Sequence, residues 1–168
     1  MGNGGCAVCR TIAGFVVAII FGSLLTSTRA GAAPPASGCG PDQATALQSA
    51  LSQLPPEPLT GRSWESTPVH SNYDPCADLS AIVVMIQGGT GSSPEQALMF
   101  HRGRYLGTGT SKAYAFTTLD SAASTNDTVV LRYKDGRYVC TACPGPVRTV
   151  RYQWRGDHVE MLDPPPPG

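Results

Sequence analysis

The spacing of leucines near residue 50 predicts one amphipathic helix. Leu47, Leu51 and Leu54 recur at i, i+4 and i+7, while glutamines and serines fill the opposite side. Asp42 is a residue typical of a helix start, and Pro55-Pro56 cannot continue a helix. The pattern therefore predicts a helix that begins just after position 42 and ends before position 55.

The next part of the chain predicts a long loop and then a buried strand. Residues 55–75 are rich in proline, serine and other polar residues, which predicts a loop that carries Trp64 and Tyr73. Residues 81–86 (AIVVMI) are apolar at every position. A short apolar run with this content of β-branched residues predicts a central strand that is covered on both faces.

Three dipeptides predict tight hairpins, and each fixes a register that a structure can test. The turns are Asp135-Gly136, Gly156-Asp157 and Arg102-Gly103. The cross-strand pairs that follow are, in the same order, Tyr133 with Tyr138, Trp154 with Val159, and Phe100 with Tyr105. Residues 93–96 (SPEQ), ahead of the third turn, also resemble a helix start, so a helix is the alternative there. Residues 114–118 (YAFTT) predict a further strand.

These elements predict an α+β fold. We expect a mainly antiparallel sheet of about six or seven strands, built from hairpins, with one N-terminal amphipathic helix packed on it. The domain would span residues 42–163, after a flexible lead over residues 33–41. Residues 164–168 form a proline-rich tail, which we expect to be rigid and exposed because proline adds no ladder hydrogen bonds.

Composition and charge limit the classes of protein that fit. The 168 residues include 19 Gly and 15 Pro, and 41% are hydrophobic, which is enough for the core of one domain. The 12 Lys+Arg residues balance the 12 Asp+Glu residues, so the formal net charge is zero. This balance excludes a broad basic surface for nucleic acid.

The first part of the chain has the features of an export signal. Residues 1–32 contain no Asp or Glu, and Arg10 precedes an apolar run at 12–25 that is shorter than the roughly 20 residues of a membrane span. Ala30-Gly31-Ala32 matches the small-x-small cleavage pattern. We expect a signal peptide over residues 1–32. The alternative is an uncleaved membrane anchor, which Arg29 favours because it puts positive charge on the second flank.

The remaining cysteines predict disulfides. An exported domain would keep Cys39, Cys76, Cys140 and Cys143, and oxidising compartments preserve disulfides. Four cysteines allow three connectivities, of which we favour Cys39–Cys76 with Cys140–Cys143. The C-x-x-C spacing of the second pair also occurs in thiol oxidoreductases, so a redox pair is the alternative. In those enzymes a helix begins at the motif, but here residues 144–146 (PGP) follow it directly. This difference favours a structural bond.

The glycine-rich segment after the predicted central strand is a candidate ligand loop. It lacks the Gly-Lys-Ser/Thr ending of a P-loop, and a proline replaces the last glycine of a dinucleotide fingerprint. We therefore interpret it first as a connection between strands, although its backbone N–H groups could hold an anion. The residues of this candidate loop are Gly88, Gly89, Thr90, Gly91, Ser92 and Ser93.

No residue pattern predicts a metal site, a cofactor or a catalytic centre. The loose group of His70, Asp74, Cys76 and Asp78 matches no tetrahedral zinc spacing. Neither G-x-S-x-G nor H-E-x-x-H occurs in the sequence. We therefore predict a protein with no cofactor, no metal and no enzymatic activity.

Several short phrases together resemble the actinobacterial LppP/LprE family of envelope lipoproteins. They are DPCADL at 74–79, GTGSSP at 89–94, FH at 100–101 with GRYLG at 103–107, and VRYQW at 150–154 with MLD at 161–163. The resemblance runs from about Cys39 to Asp163. It implies an exported cell-envelope domain without an agreed enzymatic activity, and it supports a Cys39–Cys76 bond and a bond at Cys140 and Cys143.

The sequence departs from a lipoprotein signal in one respect. A lipidated cysteine normally follows the apolar run directly, but positions 25–28 (LTST) contain no cysteine. Residues 36–39 (ASGC) fit a lipobox at the small positions, yet lipidation would remove Cys39 from any disulfide. We therefore expect a secreted or loosely envelope-associated protein rather than a lipid-anchored one.

The function that follows is a non-catalytic binding or structural module of the cell envelope, with an unknown ligand. Its partner would be a wall component, a lipid or a protein, and not nucleic acid. Contact with the membrane would come only through an uncleaved signal or a lipidated Cys39. The alternative function is a thiol–disulfide redox protein that uses Cys140 and Cys143.

Overall fold

The computed structural model describes residues 38–136 and 142–167. The predicted signal peptide, most of the predicted lead, Tyr138 and Cys140 lie outside these residues. Across the described part of the chain, no helix is both long enough and apolar enough to cross a membrane. The elements are α1 (Gln43–Leu51), β1 (His70–Ser71), β2 (Ser80–Met85), β3 (Glu95–His101), β4 (Arg104–Thr108), β5 (Thr117–Leu119), β6 (Thr128–Lys134), β7 (Val147–Trp154) and β8 (Val159–Met161).

The strands form two antiparallel sheets of four strands each, in the orders β1-β2-β3-β4 and β5-β6-β7-β8. The α+β class and the antiparallel pairing are therefore confirmed. The prediction of one sheet with six or seven strands is wrong. Two consecutive strands, β2 and β3, are buried along almost their whole length, so each of their faces needs a covering layer.

Alternate residues of β2 and β3 face two different cores. On one face, Ala81, Val83 and Met99 pack against the second sheet, whose largest contributors are Tyr133 and Tyr152. The hydroxyl groups of these two tyrosines lie 3.0 Å apart and share a hydrogen bond inside the core. Burial raises the pKa of Tyr133 to about 12 and also raises the pKa of Tyr152, so both hydroxyls stay protonated at physiological pH.

The opposite face of β2 and β3 packs against α1. Ile82, Leu98 and Phe100 meet Ala46, Leu47 and Ala50 of the helix, and Trp64 of the long loop closes the same core. Asp42 caps the helix by accepting hydrogen bonds from the backbone N–H groups of Ala44 and Thr45 at 3.0 and 3.1 Å. The helix ends at Leu51, one turn before the prolines, because the N–H groups of Gln53 and Leu54 make i→i−3 hydrogen bonds that tighten the last turn.

Two of the three predicted hairpins are confirmed in register. Trp154 pairs with Val159, and Phe100 pairs with Tyr105. The turn between β3 and β4 has positive φ at Arg102 (48°) and Gly103 (77°), the geometry that a tight type I′ turn requires. The helix start predicted as the alternative at residues 93–96 is wrong, because β3 begins at Glu95.

The third predicted hairpin is wrong. Tyr133 pairs with Thr117 of β5 on one side and with Arg148 of β7 on the other, so neither edge of β6 is free for residues just past the Asp135-Gly136 turn. The N–H of Asp135 instead donates to the carbonyl of Pro146 at 2.8 Å. Strand β6 ends at Lys134, and β7 begins at Val147.

The proline-rich tail is not wholly exposed, contrary to prediction. Asp163 forms a two-point ion pair with Arg151 of β7, at 2.8 and 3.0 Å. Pro166 is buried, and its carbonyl accepts a hydrogen bond from the Tyr114 hydroxyl at 2.9 Å. The tail therefore packs on the domain beyond the short strand β8, where proline prevents further strand pairing.

A disulfide joins Cys39 to Cys76, as predicted, across a sequence separation of 37 residues. It ties the residues just before α1 to the turn that leads into β2. Tyr73 adds a second connection, because its hydroxyl donates to the Pro41 carbonyl at 2.7 Å. Cys143 is also disulfide-bonded, while the pairing predicted with Cys140 lies outside the described residues and stays a prediction.

We expect replacement of Cys39 and Cys76 together by serine to lower the free energy of unfolding by roughly 3–4 kcal/mol, because the unfolded chain regains the entropy of a loop. Urea denaturation of the variant and of the parent protein measures this loss. Ser92→Ala, on an exposed loop, is the control and should change little. A loss below about 1 kcal/mol would show that the bond does not constrain the unfolded chain.

Candidate functional site

A cleft of about 380 Å³ opens where the first strand of the second sheet approaches the first sheet. We call it the Glu95 cleft. Its volume lies near the lower end of the roughly 300–1,000 Å³ range of small-molecule sites. It is lined by His70, Gly91, Glu95, Phe116, Thr117, Thr118, Arg132, Lys134 and Val147.

Glu95 places a carboxylate in this cleft. It is the first residue of β3 and shares the sheet face of Ala97 and Met99, which points towards the second sheet. Only 6% of Glu95 is exposed. One carboxylate oxygen, Oε2, accepts a hydrogen bond from the backbone N–H of Thr117 at 2.7 Å. A buried acidic group is therefore anchored at one oxygen by the start of β5.

The second oxygen of Glu95, Oε1, has no hydrogen-bond partner among the described residues. In that part of the chain, no fully buried side-chain nitrogen or oxygen lacks a partner. The Oε1 atom must therefore keep access to the cleft that Glu95 lines. It is the acceptor that this cleft offers to a ligand.

Burial raises the pKa of Glu95 from 4.5 to about 7, and the Thr117 hydrogen bond opposes this rise only in part. The carboxyl group therefore changes charge near neutral pH. Perturbed acids that lie in clefts are candidate functional groups. Glu95 has three such features: a perturbed pKa, a position in the lining of a cleft, and one carboxylate oxygen without a partner.

Phe116 is held in an unusual backbone conformation beside Glu95. Its φ is 58°, in the left-handed region that bulky residues rarely adopt. This conformation stands directly before Thr117, whose N–H contacts Glu95. The Lys134 ammonium lies 4.2 Å from the centre of the Phe116 ring and donates to the Cys143 carbonyl at 3.1 Å. The cleft therefore combines local backbone strain with a fixed cation at its rim.

The candidate ligand loop contributes one residue to this site. Gly91 lines the Glu95 cleft. Elsewhere in the loop, the N–H of Gly88 donates to Glu65 at 3.1 Å, and the N–H of Thr90 donates to the Ser93 hydroxyl at 2.7 Å. A carboxylate and internal hydrogen bonds thus already occupy much of its donor capacity, and anion binding by the loop alone stays a prediction.

A second cleft of about 480 Å³ lies between β4 and the β7–β8 hairpin. Its floor contains Met99 and Tyr152, and Trp154 stacks on His101 at its side with ring centres 4.0 Å apart. At its rim, Asp157 and His158 contact each other at 2.6 Å. The floor of this cleft is apolar, and no buried charged side chain lines it. It therefore says less about the chemistry of a ligand than the Glu95 cleft does.

The other predicted site residues do not assemble into a reactive centre within the described chain. No group of three or more His, Cys, Asp or Glu side chains there is placed to hold a metal ion. Cys39 and Cys76 form the structural bond described above. Because Cys140 lies outside the described residues, the redox alternative stays a prediction.

Comparison of the chain with known proteins shows the family to which it is related. The model of a family described as LppP/LprE lipoprotein matches residues 71–157, which include Glu95, Thr117 and Arg132. A protein named as the lipoprotein LprE of Mycobacterium leprae is 31% identical over 153 residues, which cover 87% of this chain and 73% of that protein. The chain belongs to the LppP/LprE lipoprotein family.

Other members of the LppP/LprE family show the same likeness over a shorter span. Proteins named as LprE from Mycobacterium bovis and Mycobacterium tuberculosis H37Rv are each 35% identical over 112 residues. These matches cover 67% of this chain and 52% of each relative, so the chain spans about half the length of those two proteins. No solved structure matches the chain. Membership of a lipoprotein family implies an extracytoplasmic location.

Sequence analysis missed Glu95, Phe116, Thr117 and Arg132 as site residues. The sequence places Glu95 ahead of a predicted hairpin, with a helix start as the alternative, and its partner Thr117 lies 22 residues away in sequence. One pattern could have identified Glu95. If residues 95–101 form a strand, alternation places Glu95 on the same face as Ala97 and Met99, and an acid among apolar residues is unusual there.

We expect the pKa of Glu95 to make stability depend on pH. Between about pH 4.5 and 7 the folded protein keeps a proton that the unfolded chain has released. The free energy of unfolding should therefore fall as pH rises through this window, by at most about 1.4 kcal/mol per pH unit from this group, and level off above it.

Urea denaturation from pH 4 to 9, with Glu95→Gln as the comparison, measures this contribution. The difference in unfolding free energy between the two proteins isolates Glu95, because His70, Arg132, Lys134 and all other titratable groups are common to both. A difference that is constant with pH would contradict the raised pKa.

Proposed function

We propose that the protein is a non-catalytic binding module of the cell envelope and that its ligand occupies the Glu95 cleft. The observation that carries this proposal is the Oε1 atom of Glu95, the unpaired oxygen of a largely buried residue, which faces a cleft of ligand size. A carboxylate oxygen that reaches a cleft without a protein partner is placed to accept a hydrogen bond from a ligand.

The surroundings of two of the three histidines support structural roles rather than proton-transfer chemistry. The Nδ1 atom of His101 lies 2.7 Å from the Asp78 carbonyl, and its ring is stacked on Trp154. His158 lies on an exposed hairpin and contacts Asp157. These two rings therefore have structural contacts. The remaining histidine, His70, lines the Glu95 cleft and is available to a ligand there.

The proposed location is extracytoplasmic, with the protein released or loosely associated rather than anchored by lipid at Cys39. Membership of a lipoprotein family supports an envelope location. The disulfide to Cys76 supports release, because a Cys39 sulfur bonded to Cys76 cannot also carry a lipid. The partner would be a wall component, a lipid or a protein.

The intact mass of the unreduced protein, isolated from its own cells, tests the proposed processing. We expect a chain that starts at Ala33 and is lighter by two hydrogen atoms for each disulfide. A mass that corresponds to a diacylated Cys39 as the first residue would instead show a tethered lipoprotein with Cys76 outside the disulfide described above.

Saturable binding to separated envelope fractions tests the proposed activity. Soluble wall fragments, extracted lipids and membrane proteins would each be titrated against the exported protein. We expect one fraction to bind, and Glu95→Gln to weaken that binding about tenfold, which corresponds to roughly 1.4 kcal/mol. Glu160→Gln makes the same chemical change on the exposed β7–β8 hairpin and should leave binding unchanged.

Two results would contradict this proposal. One is the absence of saturable binding to every fraction. The other is equal weakening by Glu95→Gln and Glu160→Gln, which would place the ligand outside the Glu95 cleft.

A further inference from the structure

We propose that the Glu95 cleft recognises a small zwitterionic group, with one primary ammonium and one anion on the same short molecule. The inference rests on the proposed binding function and names the chemical class of the ligand. The anion is a carboxylate or a phosphate, which share the chemistry that the cleft recognises.

The floor of the cleft selects the ammonium. The Oε1 atom of Glu95 is an open acceptor beside Oε2, which the Thr117 N–H already holds. A buried carboxylate is stabilised in its charged form by a nearby cation. A primary ammonium supplies a compact charge with three donors, which suits the small accessible part of Glu95, a residue that is only 6% exposed.

The rim of the cleft selects the anion. The guanidinium group of Arg132 is exposed and makes no hydrogen bond or ion pair within the described residues. A guanidinium presents a planar pair of donors that matches a carboxylate or a phosphate. Lys134 adds a second positive charge, which its contacts with Phe116 and the Cys143 carbonyl hold in place.

The two ends are fixed relative to each other by strand pairing. Arg132 of β6 pairs with Thr118 of β5, and the next residue back along β5, Thr117, binds Glu95. The three-residue strand β5 therefore lies between the negative floor and the positive rim. Glu95 and Arg132 line the same cleft, together with Phe116 and Thr118, so one ligand in that cleft can contact both charged ends.

This order of charges discriminates against simpler ions. An anion alone would meet Arg132 and Lys134 but would approach the Glu95 carboxylate. A cation alone would pair with Glu95 but would approach two positive side chains. Like charges brought together at short range are unfavourable, so a molecule that carries both charges should bind better than either half.

Amide chemical shifts of the 15N-labelled exported protein test this inference at the site itself. The probes are O-phosphoethanolamine, whose matched halves are ethylamine and inorganic phosphate, and 5-aminopentanoate, whose matched halves are butylamine and pentanoate. The reporter is the amide signal of Thr117, because that N–H is bonded to Glu95. We expect at least one zwitterion to shift this signal with a Kd about tenfold below that of either of its halves.

Single substitutions separate the two ends of the ligand. Glu95→Gln should remove the advantage of the zwitterion over the anionic half, and Arg132→Gln should remove its advantage over the amine. Arg155→Gln on the exposed β7–β8 hairpin is the matched control and should change neither. Arg132 is exposed, so this variant should fold even if Glu95→Gln does not.

The outcomes distinguish this inference from the proposed function. Preference for O-phosphoethanolamine would indicate a phosphate head group, and preference for 5-aminopentanoate would indicate an amino-acid-like ligand; either supports the inference. Halves that bind as tightly as the whole, or zwitterions that leave the Thr117 signal unmoved, would overturn it. If no zwitterion binds while an envelope fraction still binds through Glu95, the proposed function stands and the zwitterion assignment is wrong.

Discussion

The arrangement of layers in this structure depends on two neighbouring strands, β2 and β3, which bury both of their faces. Nearly every residue of β2 and β3 is buried, so the first sheet needs one layer on each side. Helix α1 and Trp64 cover one face, and the second sheet covers the other. The helix is itself held at its start by the Asp42 cap and by the Cys39–Cys76 bond. These contacts place a helix and two sheets in three layers around two separate cores.

The candidate site arises where this layering ends. Glu95 stands at the beginning of β3, in the same alternation as core residues that face the second sheet, but there β5 is only three residues long. The Thr117 N–H satisfies one carboxylate oxygen, and the cleft opens in front of the other. A position that would hold an apolar side chain in a uniform core thus holds an acid with a pKa near neutrality. The left-handed conformation of Phe116 supports this arrangement, because it immediately precedes Thr117.

Local patterns predicted the parts of the fold that depend on neighbouring residues. The turns at Arg102-Gly103 and Gly156-Asp157 fix their registers within a few residues, and both registers are confirmed. Asp135-Gly136 carries an equally strong turn signal, yet non-local pairing of β6 with both β5 and β7 overrides it. The Glu95 cleft could not be predicted in this way. Its floor, its anchoring N–H and its cationic rim come from β3, β5 and β6, and only tertiary packing brings these strands together.

The titration of the Glu95 carboxyl group tests most directly whether this acid is a ligand-binding group. The chemical shift of its carboxyl carbon, followed by 13C NMR in the ligand-free protein, should titrate near pH 7. Addition of a saturating ligand of the Glu95 cleft should lower that midpoint, because a cation bound at the open oxygen favours the charged form. A midpoint near 4.5 in the free protein, or one that a bound ligand leaves unchanged, would contradict the account.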